Sequence, residues 1–188
     1  LKQMTGQELS KRIQDARDAF DQRFLKTFAL PKLDRISDES LTRLGHYLLS
    51  NTLGGVGFFH GSSIARKESI GDSRLLASVT RKSDVNPEVR ILPRVNLFTS
   101  TPSRVTFPRG FLWDEGFHQL LILRWDPALS LESISTWLDV MLPNGWIPRE
   151  QVIGSESRSM FAPHIARLMF QNPSVANPPT LLLPWRVL

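Results

Sequence analysis

The chain has 188 residues, enough to bury a core of its own, and 23 Lys+Arg against 18 Asp+Glu give a formal charge of +5. That balance does not mark a nucleic-acid partner, because bases and acids alternate through Lys11-Arg12, Asp15, Arg17-Asp18, Asp21, Arg23 and Lys26, as on a solvated helix face with i to i+4 ion pairs. With no cysteine, with His46, His60, His118 and His164 too scattered for a metal spacing, and with no apolar run near the roughly 18–20 residues that cross a bilayer, neither a metal, a cofactor nor a membrane span is expected.

Leu9, Ile13, Ala16, Phe20, Phe24 and Phe28 recur at spacings of three and four, which predicts an amphipathic core helix ending before Pro31. A second helix is expected from a Ser37 cap with Asp38-Glu39 in its first turn, burying Leu41, Leu44 and Leu48 and stopping at Gly54-Gly55. Val56 to Phe59 reads as a short extended or turn segment. Arg66 to Arg90 reads as an exposed loop, and a loop that long in a compact domain either holds a hairpin or packs against other parts of the protein.

Composition then changes: before position 86 there is one proline, Pro31, and no tryptophan, whereas twelve prolines and all five tryptophans follow. Rigid turns and large aromatics suit the lining of a cleft. Phe117 to Leu123 is apolar almost all round, as in a helix covered on most sides, and Pro127 closes it. Ser130 is the expected cap of the next helix, with Leu131, Ile134, Trp137, Leu138 and Met141 on one stripe and Trp137 in the core, until Pro143-Asn144-Gly145 ends it.

The chemistry concentrates in Phe107-Pro108-Arg109-Gly110-Phe111-Leu112-Trp113-Asp114-Glu115-Gly116-Phe117-His118. Sugar sites need aromatic faces for the C–H surface of a pyranose and carboxylates for its hydroxyls and glycosidic oxygen, and Trp113-Asp114-Glu115 carries both. Asp114 is read either as a helix cap or as a proton donor, whose neutral form Phe111, Leu112, Trp113 and Phe117 would favour by desolvation. Glu115 would either complement the helix dipole or touch substrate. Trp113 and Trp146 are the sugar-stacking candidates. Arg149 and Glu150, after Pro148, would bridge each other or grip hydroxyls, and His118 reads as structural.

Four words in order, Leu53 to Gly61, Phe107 to His118, Gly145-Trp146-Ile147-Pro148-Arg149-Glu150-Gln151 and Ala176 to Leu181, resemble the catalytic domain of the processing α-glucosidases of glycoside hydrolase family 63, most specifically from Phe98 to Leu182. The resemblance implies a mainly α fold, part of an (α/α)6 toroid of paired helices with a few short strands and long loops. It implies one incomplete segment over 1–188: helical in 1–52, loop and short strands in 53–106, active-site helices and loops in 107–188. Both ends, Leu1 and Pro184 to Leu188, then read as cut from a longer chain.

By the same resemblance Asp114 is the general acid of an inverting hydrolysis that removes the terminal α-1,2-linked glucose from the glucosylated N-glycan precursor. The second carboxylate would come from a segment C-terminal to these residues. Phe111, Trp113, Glu115, Trp146, Arg149, Glu150 and Glu156 would bind substrate, with Arg158 at the family's arginine; Ser155 and Ser157 depart from the family's usual residues there. The implied partner is a glucosylated oligosaccharide, the implied location the lumen of the endoplasmic reticulum, and any membrane anchor lies outside these residues. The alternatives are an α-glucosidase of other specificity or an inactive carbohydrate-binding or structural remnant.

Overall fold

The computed structural model describes residues 5–67, 89–175 and 177–186, with about half of the chain in helices and only short strands. The chain divides into two compact units, residues 1–51 and 52–188.

In the first unit, α1 (Gly6–Thr27) and α2 (Asp38–Leu53) meet through Phe24, which is buried with Leu49. Phe24 lies over Gly45, where an added Cβ would come within 2.6 Å of the ring, and the His46 ring meets it edge-on at 4.3 Å. The Ser37 hydroxyl accepts from the Ser40 N–H, the expected cap. The expected buried stripes are narrower than their periodicity. Leu9 and Ile13 are exposed on α1, and Leu44 and Leu48 are exposed on α2, where the inward face runs instead through Leu41, Gly45 and Leu49. A glycine at the crossing lets one large ring carry the contact, so the covered face is set by the approach of Phe24 rather than by the most apolar arc.

The second unit is built around β4 (Val95–Ser100). One edge of β4 pairs antiparallel with β1 (Val56–Gly61), with Phe58 opposite Phe98. β2 (Ile64–Arg66) pairs antiparallel with β3 (Val89–Ile91) and parallel with β5 (Phe170–Gln171). Arg66 stands opposite Val89, so the segment expected as a long loop has paired strands at its two ends; its residues 68–88 lie outside the described residues.

α3 (Leu112–Trp125) and α4 (Pro127–Asp139) are joined through Asp126, whose N–H closes α3 on Ile122 and whose Oδ1 accepts from Leu129 N at 3.1 Å. The cap of α4 is therefore Asp126 with Pro127 at the first helical position, not Ser130, which is buried mid-helix. Ile134 and Trp137 are buried as expected, while Leu131, Leu138 and Met141 are exposed and Ser130 and Ser133 take the inward face.

The reason is the second edge of β4. A strand paired on one side presents unpaired backbone groups on the other, and buried groups of that kind must find partners. Thr136 Oγ1 serves both the N–H and the carbonyl of Phe98, at 3.1 and 2.9 Å, Ser133 Oγ reaches the same carbonyl, and Glu115 accepts from Ser100 N at 3.2 Å. Helix side chains complete the sheet edge in place of a third strand. Behind that edge Leu97, Trp137, Val140, Ile153 and Leu181 form the core, with Phe59, Val95, Leu112 and Ile147 packed on it, and the Trp137 indole N–H donates to Thr99 Oγ1 at 2.9 Å.

Candidate active site

The site grows from the entry into α3. Gly110 is buried where a Cβ would come within 2.9 Å of the Trp137 ring and 3.0 Å of Thr99 Cγ2, so the chain can pass the core there only as glycine. Gly110 O accepts from Gln151 N, Phe111 bridges Glu150, and Leu112 N donates to Arg149 O, each N···O distance being 2.9 Å. The Phe107–His118 word and the Gly145–Gln151 word thus lie side by side, and the arm that brings Arg149 and Glu150 also supplies an acceptor for the first amide of the helix.

Asp114 sits at the third position of α3. Phe111 is the N-cap residue, and no side chain caps this helix, so the capping reading of Asp114 is set aside. The Asp114 carboxyl is half-buried and has no hydrogen bond or ion pair among the described residues. Around it Trp113 is 47% exposed and Phe117 is 50% exposed, their rings in a T-shaped contact at 6.2 Å, while Phe107 meets Phe111 edge-on at 5.7 Å. A carboxyl without a protein partner beside open aromatic faces is a group available to a ligand.

Glu115 has the opposite surroundings. It is 0% exposed, and its oxygens accept from Ser133 Oγ at 2.6 Å, Gln119 Nε2 at 2.7 Å and Ser100 N, with His118 Nδ1 at 3.2 Å. Its acceptor capacity is taken up inside the protein, where a carboxylate needs such partners, rather than turned to the open side that Asp114 faces. His118, bonded to it, is the structural histidine expected.

Glu150 does not bridge its neighbour Arg149. Its Oε1 is held by the Arg109 guanidinium, Nε donating at 2.5 Å and Nη2 also contacting it, and both side chains are nearly buried. Arg109 lies against the Phe111 ring at 5.5 Å and the Phe161 ring at 4.6 Å, and Glu150 N donates to Gln171 Oε1 at 2.9 Å. Arg109 and Gln171 were not singled out from the sequence. Arg109 stands within the quoted word, but nothing local in a sequence links it to a glutamate 41 positions away.

Arg149 is exposed, its carbonyl engaged with α3. Trp146 is half-buried in the turn from Leu142, which Gly145 makes with φ 83°. Glu156 is exposed on α5 (Gly154–Ser159), a short helix held by Gly154 N and Arg158 Nη1, both donating to Ser62 O. Arg158 thus spends one of its five N–H donors on the backbone. No bond among the described residues ties Trp146 or Glu156 to the first turn of α3. A groove of about 400 Å³ bordered by Arg90, Leu92, Pro93, Leu142 and Asn144 contains none of the candidates. No group of side chains able to hold a metal ion occurs among the described residues, and no helix among them is long and apolar enough to cross a membrane.

Thr180, from the fourth word, packs on the first turns of α3. Thr180 Oγ1 donates to Trp113 O at 2.6 Å, and its backbone lies so close to Gly116 that a Cβ there would overlap the Thr180 carbonyl and come within 2.5 Å of its Cβ. Gly116→Ala should therefore destabilise the protein by about 1–3 kcal/mol through overpacking and release the 178–182 segment from α3. Chemical denaturation and limited proteolysis of that segment read both effects; unchanged stability together with unchanged cleavage would mean that the contact is soft.

The chain belongs to glycosyl hydrolase family 63: the model of that family's C-terminal domain matches residues 4–188. It is 42% identical over 180 residues to Alpha-glucosidase 2 of Arabidopsis thaliana, covering 96% of this chain and 21% of that protein. It is 37% identical over 183 residues to Mannosyl-oligosaccharide glucosidase GCS1 of the same plant, covering 97% and 20%. Against the Mannosyl-oligosaccharide glucosidase of Saccharomyces cerevisiae it is 41% identical over 138 residues, 72% of this chain and 15% of the relative. The chain spans about a fifth of the length of the curated relatives it matches.

Proposed function

We propose that residues 1–188 are one segment of the catalytic domain of an inverting α-glucosidase of the mannosyl-oligosaccharide glucosidase type, with Asp114 as proton donor. The observation that carries the reading is the contrast between two adjacent carboxylates: Glu115 is saturated by protein donors, whereas Asp114 is half-buried, unpartnered among the described residues and bordered by exposed Trp113. Asp114 in its acid form donates its proton to the departing glycosidic oxygen as the C1–O bond breaks. A second carboxylate, supplied from outside these residues, takes a proton from the water that attacks C1 from the opposite face.

Phe111, Trp113 and Trp146 supply sugar-stacking surface, and Arg149, Glu150 and Glu156 supply polar contacts in this reading. In this reading the substrate is a glucosylated N-glycan precursor that loses its terminal α-1,2-linked glucose in the endoplasmic reticulum; the likeness to proteins named mannosyl-oligosaccharide glucosidase supports an oligosaccharide substrate. The α3–α4 hairpin is one helix pair of an (α/α)6 toroid in this reading. The identity to Alpha-glucosidase 2 favours a second reading, an α-glucosidase with a different glucoside substrate, because specificity resides in loops that the shared words do not fix.

Proton NMR of the full-length enzyme acting on an α-glucosidic oligosaccharide tests the stereochemistry. β-Glucose should appear first, with α-glucose following only by mutarotation. Initial α-glucose would reject the inverting mechanism.

A further inference from the structure

We propose that Glu115 is a positioning residue for Asp114: its buried carboxylate fixes the rotation of α3 so that the acid faces substrate. The inference rests on the reading of Asp114 as proton donor. Consecutive residues on a helix point about 100° apart, so whichever side chain is locked inward decides where its neighbour points. Glu115 is locked from three directions. Ser100 N reaches it from β4, Ser133 Oγ from α4, and Gln119 Nε2 from the next turn of its own helix, the last two at 2.6 and 2.7 Å on the same oxygen. Gln119 Nε2 also contacts Ser133 Oγ at 3.1 Å, which joins α3 to α4 a second time.

Other restraints act on the same stretch: Leu112 N on Arg149 O, Trp113 O beneath the Thr180 hydroxyl, the Leu112 side chain on the core, and Gly116 against Thr180, where no Cβ fits. Glu115 is the inward side chain next to Asp114 and is held by directional bonds, because a carboxyl in a site of 0% exposure is tolerable only where N–H and O–H donors converge on it. A proton donor needs its oxygen held at the leaving group to within a fraction of an ångström, and that tolerance belongs to the residues around it.

A glutamine keeps the shape of Glu115 but turns an NH2 towards a set of donors, so Glu115→Gln loosens the lock without opening a cavity. The test uses the full-length enzyme and two substrates that differ in leaving group, an α-glucosidic oligosaccharide and α-glucosyl fluoride; fluoride departs with little need of a proton from the acid. Asp114→Asn should lower oligosaccharide kcat about a hundredfold or more and fluoride turnover less than about tenfold. Glu115→Gln should lower oligosaccharide kcat about tenfold or more, with KM changed less than about threefold and fluoride turnover nearly retained.

Equal losses on both substrates in Glu115→Gln would reduce Glu115 to a structural role and overturn the inference while leaving Asp114 as the acid. Near-normal oligosaccharide turnover by Asp114→Asn would overturn the acid reading itself. Should Glu115→Gln fail to fold, Ser133→Ala removes a single donor and keeps the carboxylate. It should show the same leaving-group dependence at about a threefold loss, and an equal loss on both substrates would again overturn the proposal.

Discussion

Asp114→Asn in the full-length enzyme should lower kcat by two or more orders of magnitude while leaving ligand binding within a few-fold. Asparagine keeps the shape and polarity of the side chain and lacks only the acidic proton. The same substitution should change stability by less than about 0.5 kcal/mol, because the carboxyl is half-buried and makes no hydrogen bond or ion pair among the described residues. Single-turnover kinetics, calorimetric binding of a non-hydrolysable glucoside and chemical denaturation separate the three quantities. A variant that turns over normally would remove Asp114 from the chemistry; one that unfolds would mean that the side chain holds the first turn of α3 together.

Arg109→Ala should cost about 3–5 kcal/mol of stability, since it leaves the Glu150 carboxylate nearly buried without its cation and removes the guanidinium from between Phe111 and Phe161. The same change should weaken the Phe111–Glu150 bridge and with it the arm carrying Arg149. Activity per folded molecule should therefore fall together with stability. Replacing the pair by Arg109→Met with Glu150→Leu should recover most of the stability, because no unpaired charge then remains, and should not recover activity if Glu150 also meets substrate. Urea denaturation of the single and double variants measures the difference; a loss below about 1 kcal/mol for Arg109→Ala would show that water takes over the pairing.

Several elements were legible in order along the chain. The end of α1 before Pro31, the Ser37 cap, the stop of α2 at Gly54-Gly55 and the extended segment after Val56 follow from local rules, capping oxygen, proline and glycine, that act over a few residues and survive in any tertiary setting. The family words were legible as runs of glycines, aromatics and prolines in a fixed order, although two of their glycines answer to distant parts of the chain, Gly110 to Trp137 and Gly116 to Thr180. Of the candidate site, the two words containing Asp114 and Glu150 were both recognised, and the structure lays them side by side.

What the sequence by itself determined was the family, the order and approximate limits of the helices, and a short list of chemistry-bearing side chains. Which of two adjacent carboxylates turns inward, which arginine holds Glu150 and which face of α4 is buried were decided only by the tertiary structure. The periodicity of α4 pointed to Leu131, Leu138 and Met141, yet the helix turns Ser130, Ser133 and Thr136 towards β4. For the carboxylates and for α4 the physical reason is the same, whereas the Arg109–Glu150 pair joins side chains 41 positions apart. A sheet edge left open on one side exposes backbone groups whose burial unpaired costs about 1–3 kcal/mol each, and the partners that satisfy it come from positions 15 to 38 residues away, beyond the reach of any local pattern.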